Sequence, residues 1–157
     1  MGRSSSLRCK GFLQMNAVTE FAMKVTEKVT DVPFNLIESA YAIQSPGYIA
    51  SDETNAALDK ELQPYGIDPL TILAIISAII QVMDLLKNGC GKPSQFAENA
   101  RVRNPFLLAV FRSRVWLAAK HAEYPRSPRE LSDAILDVAH NVGTTKVAQV
   151  VNELDMI

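Results

Sequence analysis

Cysteine and histidine are scarce in this chain, two of each in 157 residues. Cys9 and Cys90 make neither a disulfide framework nor the ligand set of a structural zinc site. His121 stands alone, and His140 shares a helical face only with Asp133 and Asp137, which reads as a solvated polar face. Glycine is also sparse, seven in all. The one stretch resembling a phosphate loop, Gly89-Cys90-Gly91-Lys92-Pro93-Ser94, lacks the glycine spacing and the preceding strand that such a loop needs. Cys90 follows a helix C-terminus, where the dipole disfavours a thiolate nucleophile. These gaps leave no catalytic constellation, metal site or cofactor site, so a non-enzymatic protein that takes no cofactor is expected. Runs of alternating β-branched residues bounded by turns are missing as well, which excludes a sheet-based fold.

What is present is helical signal. Hydrophobic residues make 48% of the chain and charged residues 21%, the balance of an ordinary folded domain. The expectation is all-α: a compact bundle of about seven short helices around one apolar central helix at 69–88. Residues 1–14 read as a basic flexible arm and 15–157 as a single helical domain. The arm carries Arg3, Arg8 and Lys10 without an acid, and it lacks the apolar stretch of a secretory signal. Met1-Gly2 with Ser6 fits the bare N-myristoylation pattern, though Arg3 suits it poorly. A reducing intracellular compartment or an assembled particle is the expected setting, because nothing in the chain calls for oxidised thiols.

Along 16–31, Val18, Ala22, Val25, Val29 and Val32 alternate spacings of four and three, and Glu20 with Lys24 adds an outward pair. Pro33 closes this helix. A second, at 34–44, is expected to bury Leu36, Ile37, Ala40 and Tyr41 before the breaker Ser45-Pro46-Gly47. Ser51 or Asp52 caps a third that ends at the turn Gln63-Pro64-Tyr65-Gly66. The central helix is the best marked: Asp68 as N-cap, Pro69 in the first turn, Gly89 as the stop. Its uncharged run reaches only about 22 Å, short of the ~30 Å core of a bilayer. Its polar residues Ser77, Gln81, Asp84 and Asn88 form one narrow line, expected to be buried and to need partners. Asn104 caps a helix to about 123 that turns Phe106, Leu107, Val110, Phe111 and Leu117 inward. Ser127-Pro128-Arg129-Glu130 is a capping box, and Thr144 caps the last helix, with Val147, Val150, Val151 and Leu154 inward.

Charge is distributed in blocks. Residues 11–100 hold five basic side chains against eleven acidic ones, whereas 101–129 hold seven basic ones against Glu123 alone. In the basic block, Arg112, Trp116 and Lys120 fall at i, i+4 and i+8, with Arg101, Arg103, Arg126 and Arg129 at the ends. These seven form the candidate interaction patch, for phosphates, lipid head groups or an acidic partner. The alternative is that the basic helix pairs with the acidic N-terminal half of its own fold. The last two helices also invite a helix-turn-helix reading, with Thr145, Lys146, Gln149 and Asn152 facing the bases. Five acids against two bases in 127–155 oppose it. The leading functional reading is a structural or adaptor subunit of a larger assembly, such as a virion or a multi-subunit complex. It acts through helix packing and charge-complementary contacts with protein partners or copies of itself. A membrane-contacting protein that inserts 69–86 is the first alternative and a helix-turn-helix nucleic-acid binder the second; nucleic acid is the least favoured partner.

Overall fold

The computed structural model describes residues 16–44, 52–90 and 105–155, and of residues 87–90 and 155 the backbone alone. Among the described residues there are seven α-helices and no strand: α1 (Ala17–Thr30), α2 (Phe34–Ala42), α3 (Asp52–Leu62), α4 (Pro69–Cys90), α5 (Pro105–His121), α6 (Pro128–Val142) and α7 (Thr144–Asp155). A 3-10 turn, Gln63–Tyr65, joins α3 to α4. The all-helical bundle expected from the sequence is what forms. The N-terminal arm, the breaker at 45–47, the phosphate-like loop beyond Cys90, Arg101, Arg103 and Asn104 lie outside the described residues, as do the side chains of Asn88 and Cys90.

Helix α4 is the element the others share. It packs against α1, α2 and α5, and more lightly against α3 and α7, while α6 and α7 close over α1. Ile72, Ile75, Ile76, Ile79, Val82, Met83 and Leu86 are buried. Those positions repeat at three and four residues, the register of one apolar helix face. One contiguous core holds side chains from all seven helices. The seam of α1 behaves as its spacing implies, with Val18, Ala22, Val25, Val29 and Val32 all buried. On its outer side, Lys24 and Glu20 pair at 3.7 Å.

The polar line of α4 does not lie where the sequence suggested. Ser77 and Gln81 are exposed and Asp84 is half-buried, so the line faces outward rather than into the core. Leu70 and Ala74 continue the exposed strip toward the helix start. The physical reason is the number of neighbours. The helices on α4 cover a wide face but leave one strip open, and the few polar residues occupy it because burying them there would demand hydrogen-bond partners.

Helix ends follow local chemistry. The Asn16 side chain accepts from the Thr19 N–H at 2.8 Å, and the Asp68 side chain accepts from the Thr71 N–H at 2.7 Å. That bond holds the Asp68 carboxyl below its ordinary pKa of 3.8. Ser127 accepts from the Glu130 N–H at 3.4 Å, with Pro128 opening α6. Two expected boundaries shift. Helix α4 runs one residue past Gly89, because a glycine in a last turn weakens a helix without ending it. Helix α7 already includes Thr144, and the Gly143 carbonyl accepts from the Val147 N–H at 3.1 Å in the cap position.

One cap is tertiary. Glu153, from α7, accepts from the backbone N–H groups of Ala17 at 2.7 Å and Val18 at 3.4 Å. With Asn16 taking Thr19, three amides of the first turn of α1 are satisfied, and a carboxylate sits where the helix dipole favours negative charge. Gln149 steadies Glu153 at 3.3 Å, and Lys146 reaches Glu20 at 3.5 Å. The last helix is thereby locked to the first.

Two outcomes are expected in denaturant titrations. Ile79→Ala, at a fully buried site on α4, lowers unfolding free energy by about 2–5 kcal/mol, whereas Ser77→Ala and Gln81→Ala stay within about 0.5 kcal/mol. Glu153→Ala costs about 1–2 kcal/mol, and adding Asn16→Ala costs less than the sum of the two singles, since both serve one helix end.

Candidate functional site

Helix α5 carries the candidate patch, and its roll about its own axis decides what the patch is. The inward side chains are Phe111, Val115, Ala118 and Ala119, all buried, at i, i+4, i+7 and i+8. Of the five residues expected to face inward, only Phe111 is buried, and Leu107 is intermediate. Phe106, Val110 and Leu117 point out, with Phe106 74% and Leu117 59% exposed. The sequence of α5 holds two competing apolar stripes. The stripe containing the alanine pair wins because small side chains let the helix lie close against α4 and α6. That alanine pair is the signal that the residue pattern offered for the correct roll.

The expected line of Arg112, Trp116 and Lys120 is on one exposed face. Arg112 bonds Asp133 of α6 at 3.2 Å, and the Lys120 ammonium lies 5.6 Å from the centre of the Trp116 ring, within cation–π range. Trp116 itself is 53% exposed. Arg126 and Arg129 are exposed beyond the end of the helix. Among the described residues, the ion pair of this helix is with Asp133 of α6.

Beside this line lies a shallow groove of about 270 Å³, walled by Leu85 and Leu86 of α4 and by Arg114, Leu117, Ala118 and His121 of α5. Arg114 is exposed at its rim and makes no ion pair among the described residues. Arg114 and His121 are site residues that sequence spacing did not single out. A larger groove, about 470 Å³, runs along α1 beside α6 and α7, and within it Glu20 pairs with both Lys24 and Lys146. Two residues of the proposed recognition face are committed in this region, Lys146 to Glu20 and Gln149 to Glu153, while Thr145 and Asn152 are exposed. Asp133 serves Arg112, and among the described residues no group of three His, Cys, Asp or Glu side chains converges as a metal site would require.

The helix ends in a Schellman motif. Glu123 adopts φ 57°, its N–H bonding Lys120 O at 3.3 Å, and the Tyr124 N–H reaches back to Ala119 O at 2.9 Å. This turn buries Tyr124, whose hydroxyl has no hydrogen-bond partner among the described residues. Burial pushes its pKa up to about 12; Glu130 adds to the rise and Arg126 opposes it.

Comparison with protein-family models, curated proteins and solved structures finds no match to this chain. The face is accordingly read from its own chemistry.

Tyr124 generates an alkaline prediction. The folded pKa is raised from 10.0 to about 12, so the fold favours the neutral phenol. That contribution is complete below pH 10 and disappears as pH rises from 10 through about 12. Tyr124→Phe is expected to be neutral or stabilising at pH 7, since it removes a buried hydroxyl without a described partner, and to flatten the alkaline loss of stability. Thermal unfolding across pH 7 to 12 checks both.

Proposed function

We propose that this protein acts by contact, as a non-enzymatic structural or adaptor subunit of a larger assembly, with the outer face of α5 as its docking surface. One observation carries the reading. Six large hydrophobic side chains are exposed among the described residues, and four of them, Phe106, Val110, Trp116 and Leu117, lie on this single helix. Isolated exposed apolar residues are ordinary, but a group of them rimmed by cations marks a surface that another molecule covers. Aromatic residues and arginine are the side chains that anchor protein interfaces, and here Arg112 and Lys120 flank Trp116 at i−4 and i+4.

A membrane-contacting role is the second reading, favoured by the 18-residue stretch Pro69–Leu86 of α4, whose mean hydropathy is 2.1. In this fold, however, its aliphatic face is the core of the bundle, so insertion requires the bundle to open. Contact through α5 needs no such rearrangement.

The test is solution behaviour. Purified chain is expected to form a discrete oligomer, or to precipitate without a partner, and Phe106→Ser with Leu117→Ser is expected to be folded, soluble and monomeric by circular dichroism and light scattering. A soluble wild-type monomer indistinguishable from that double variant overturns the reading. Flotation with anionic liposomes that survives the double variant favours the membrane alternative instead.

A further inference from the structure

Resting on the contact reading above, we propose that the occupant of the α5 face is a second copy of this chain, which presents the acidic corner where α3 meets the start of α4.

The two exposed large hydrophobic side chains that are not on α5 are Tyr65 and Leu70, and both lie at that corner. Around them the surface is acidic. Asp59, Glu61 and Asp68 are the exposed acids nearest in sequence, Asp52 and Glu53 add exposed acid at the far end of α3, and Lys60 is the only base in 52–70. Helix α5 is the opposite: Arg112, Arg114 and Lys120 with no acid between 105 and 121. Each face therefore has the same construction, exposed apolar groups among charges of one sign, and the two signs are complementary.

The charges are also available. Arg114 on one face, and Asp59 and Glu61 on the other, make no ion pair among the described residues. Charge excludes the simplest symmetric alternative, since placing α5 against α5 sets each arginine-rich face on its twin, and like charges across an interface are strongly unfavourable. Charge match together with apolar match selects α5 against the corner of a neighbour.

Placement permits both contacts at once. The α5 groove is built on Leu85 and Leu86, near the end of α4, whereas Leu70 is near its start. Those sites are separated by most of a 22-residue helix, about 33 Å long at 1.5 Å per residue. One copy can thus receive a neighbour on α5 while offering its corner to a neighbour. The contacts close into an antiparallel pair or continue head to tail, and the measured mass reports which.

A charge-swap pair tests the proposal. One variant is Arg114→Glu with Lys120→Glu, the other Asp59→Lys with Glu61→Lys. All four positions are exposed, so the fold is expected to persist, as circular dichroism checks. By analytical ultracentrifugation, wild type is expected to self-associate more weakly as salt rises, and each variant alone to associate at least about tenfold more weakly than wild type. An equimolar mixture of the two variants restores association, because every interface in it again joins opposite charges. Leu117→Asp and Leu70→Asp, each removing one apolar half, are expected to abolish it. The idea fails if wild type is monomeric, if the swaps associate as wild type does, or if the mixture does not recover. Charge-insensitive self-association that still depends on Leu117 rejects the acidic corner while leaving the contact reading intact, and a soluble monomer rejects both.

Discussion

Seven large aliphatic and thioether side chains on α4, from Ile72 to Leu86, must be covered together with Ala78 on one face of a single helix, and no other constraint in the molecule reaches so many elements. Each such side chain withdrawn from water contributes about 1.5–3 kcal/mol. Helices α1, α2 and α5 supply the cover, and α3 and α7 complete it at the edges. The valine seam of α1 is buried from both sides as a result, between α4 and the pair α6 and α7. The strip of α4 left open by the described helices is where Ser77 and Gln81 are found.

The exposed face of α5 is a consequence of the same requirement. Because α5 must lie close to α4 and α6, it turns Ala118 and Ala119 inward along with Phe111 and Val115. The larger apolar side chains on the other stripe are left outside. A helix that is apolar over most of its circumference cannot bury every side within a bundle of this size, and what it exposes is available to another molecule. Arg112, Arg114 and Lys120 give that side a positive charge, which favours a partner surface of opposite sign. The acidic corner at the other end of α4, with Tyr65 and Leu70 exposed, is the complement that the proposed contact between copies requires.

The two ends of the described chain meet through Glu153 and the first turn of α1. The interaction joins a local need, unsatisfied amides at a helix start, to a contact between residues more than 130 positions apart. It also uses the face of α7 that a nucleic-acid reader would need free. Lys146 and Gln149 are held toward α1 and Glu153 by the same arrangement.

Helix positions and most of their ends were legible from the residues, because caps such as Asp68 and Ser127 act within three or four positions of themselves. The apolar faces of α1 and α7 were legible for the same reason: each helix has one stripe, and one stripe has one way in. The exposure of the α4 polar line and the outward turn of Phe106, Val110 and Leu117 were not. Both depend on how many neighbours a helix acquires and how close they come, and nothing within a single helix states that. The candidate patch divides along the same boundary. The line of Arg112, Trp116 and Lys120 followed from spacing alone, whereas the groove between Leu86 and Leu117, with Arg114 and His121 at its side, exists only because α5 packs against α4. Local chemistry along the chain determined the described helices; competition among their apolar stripes for a limited core decided which side chains face outward.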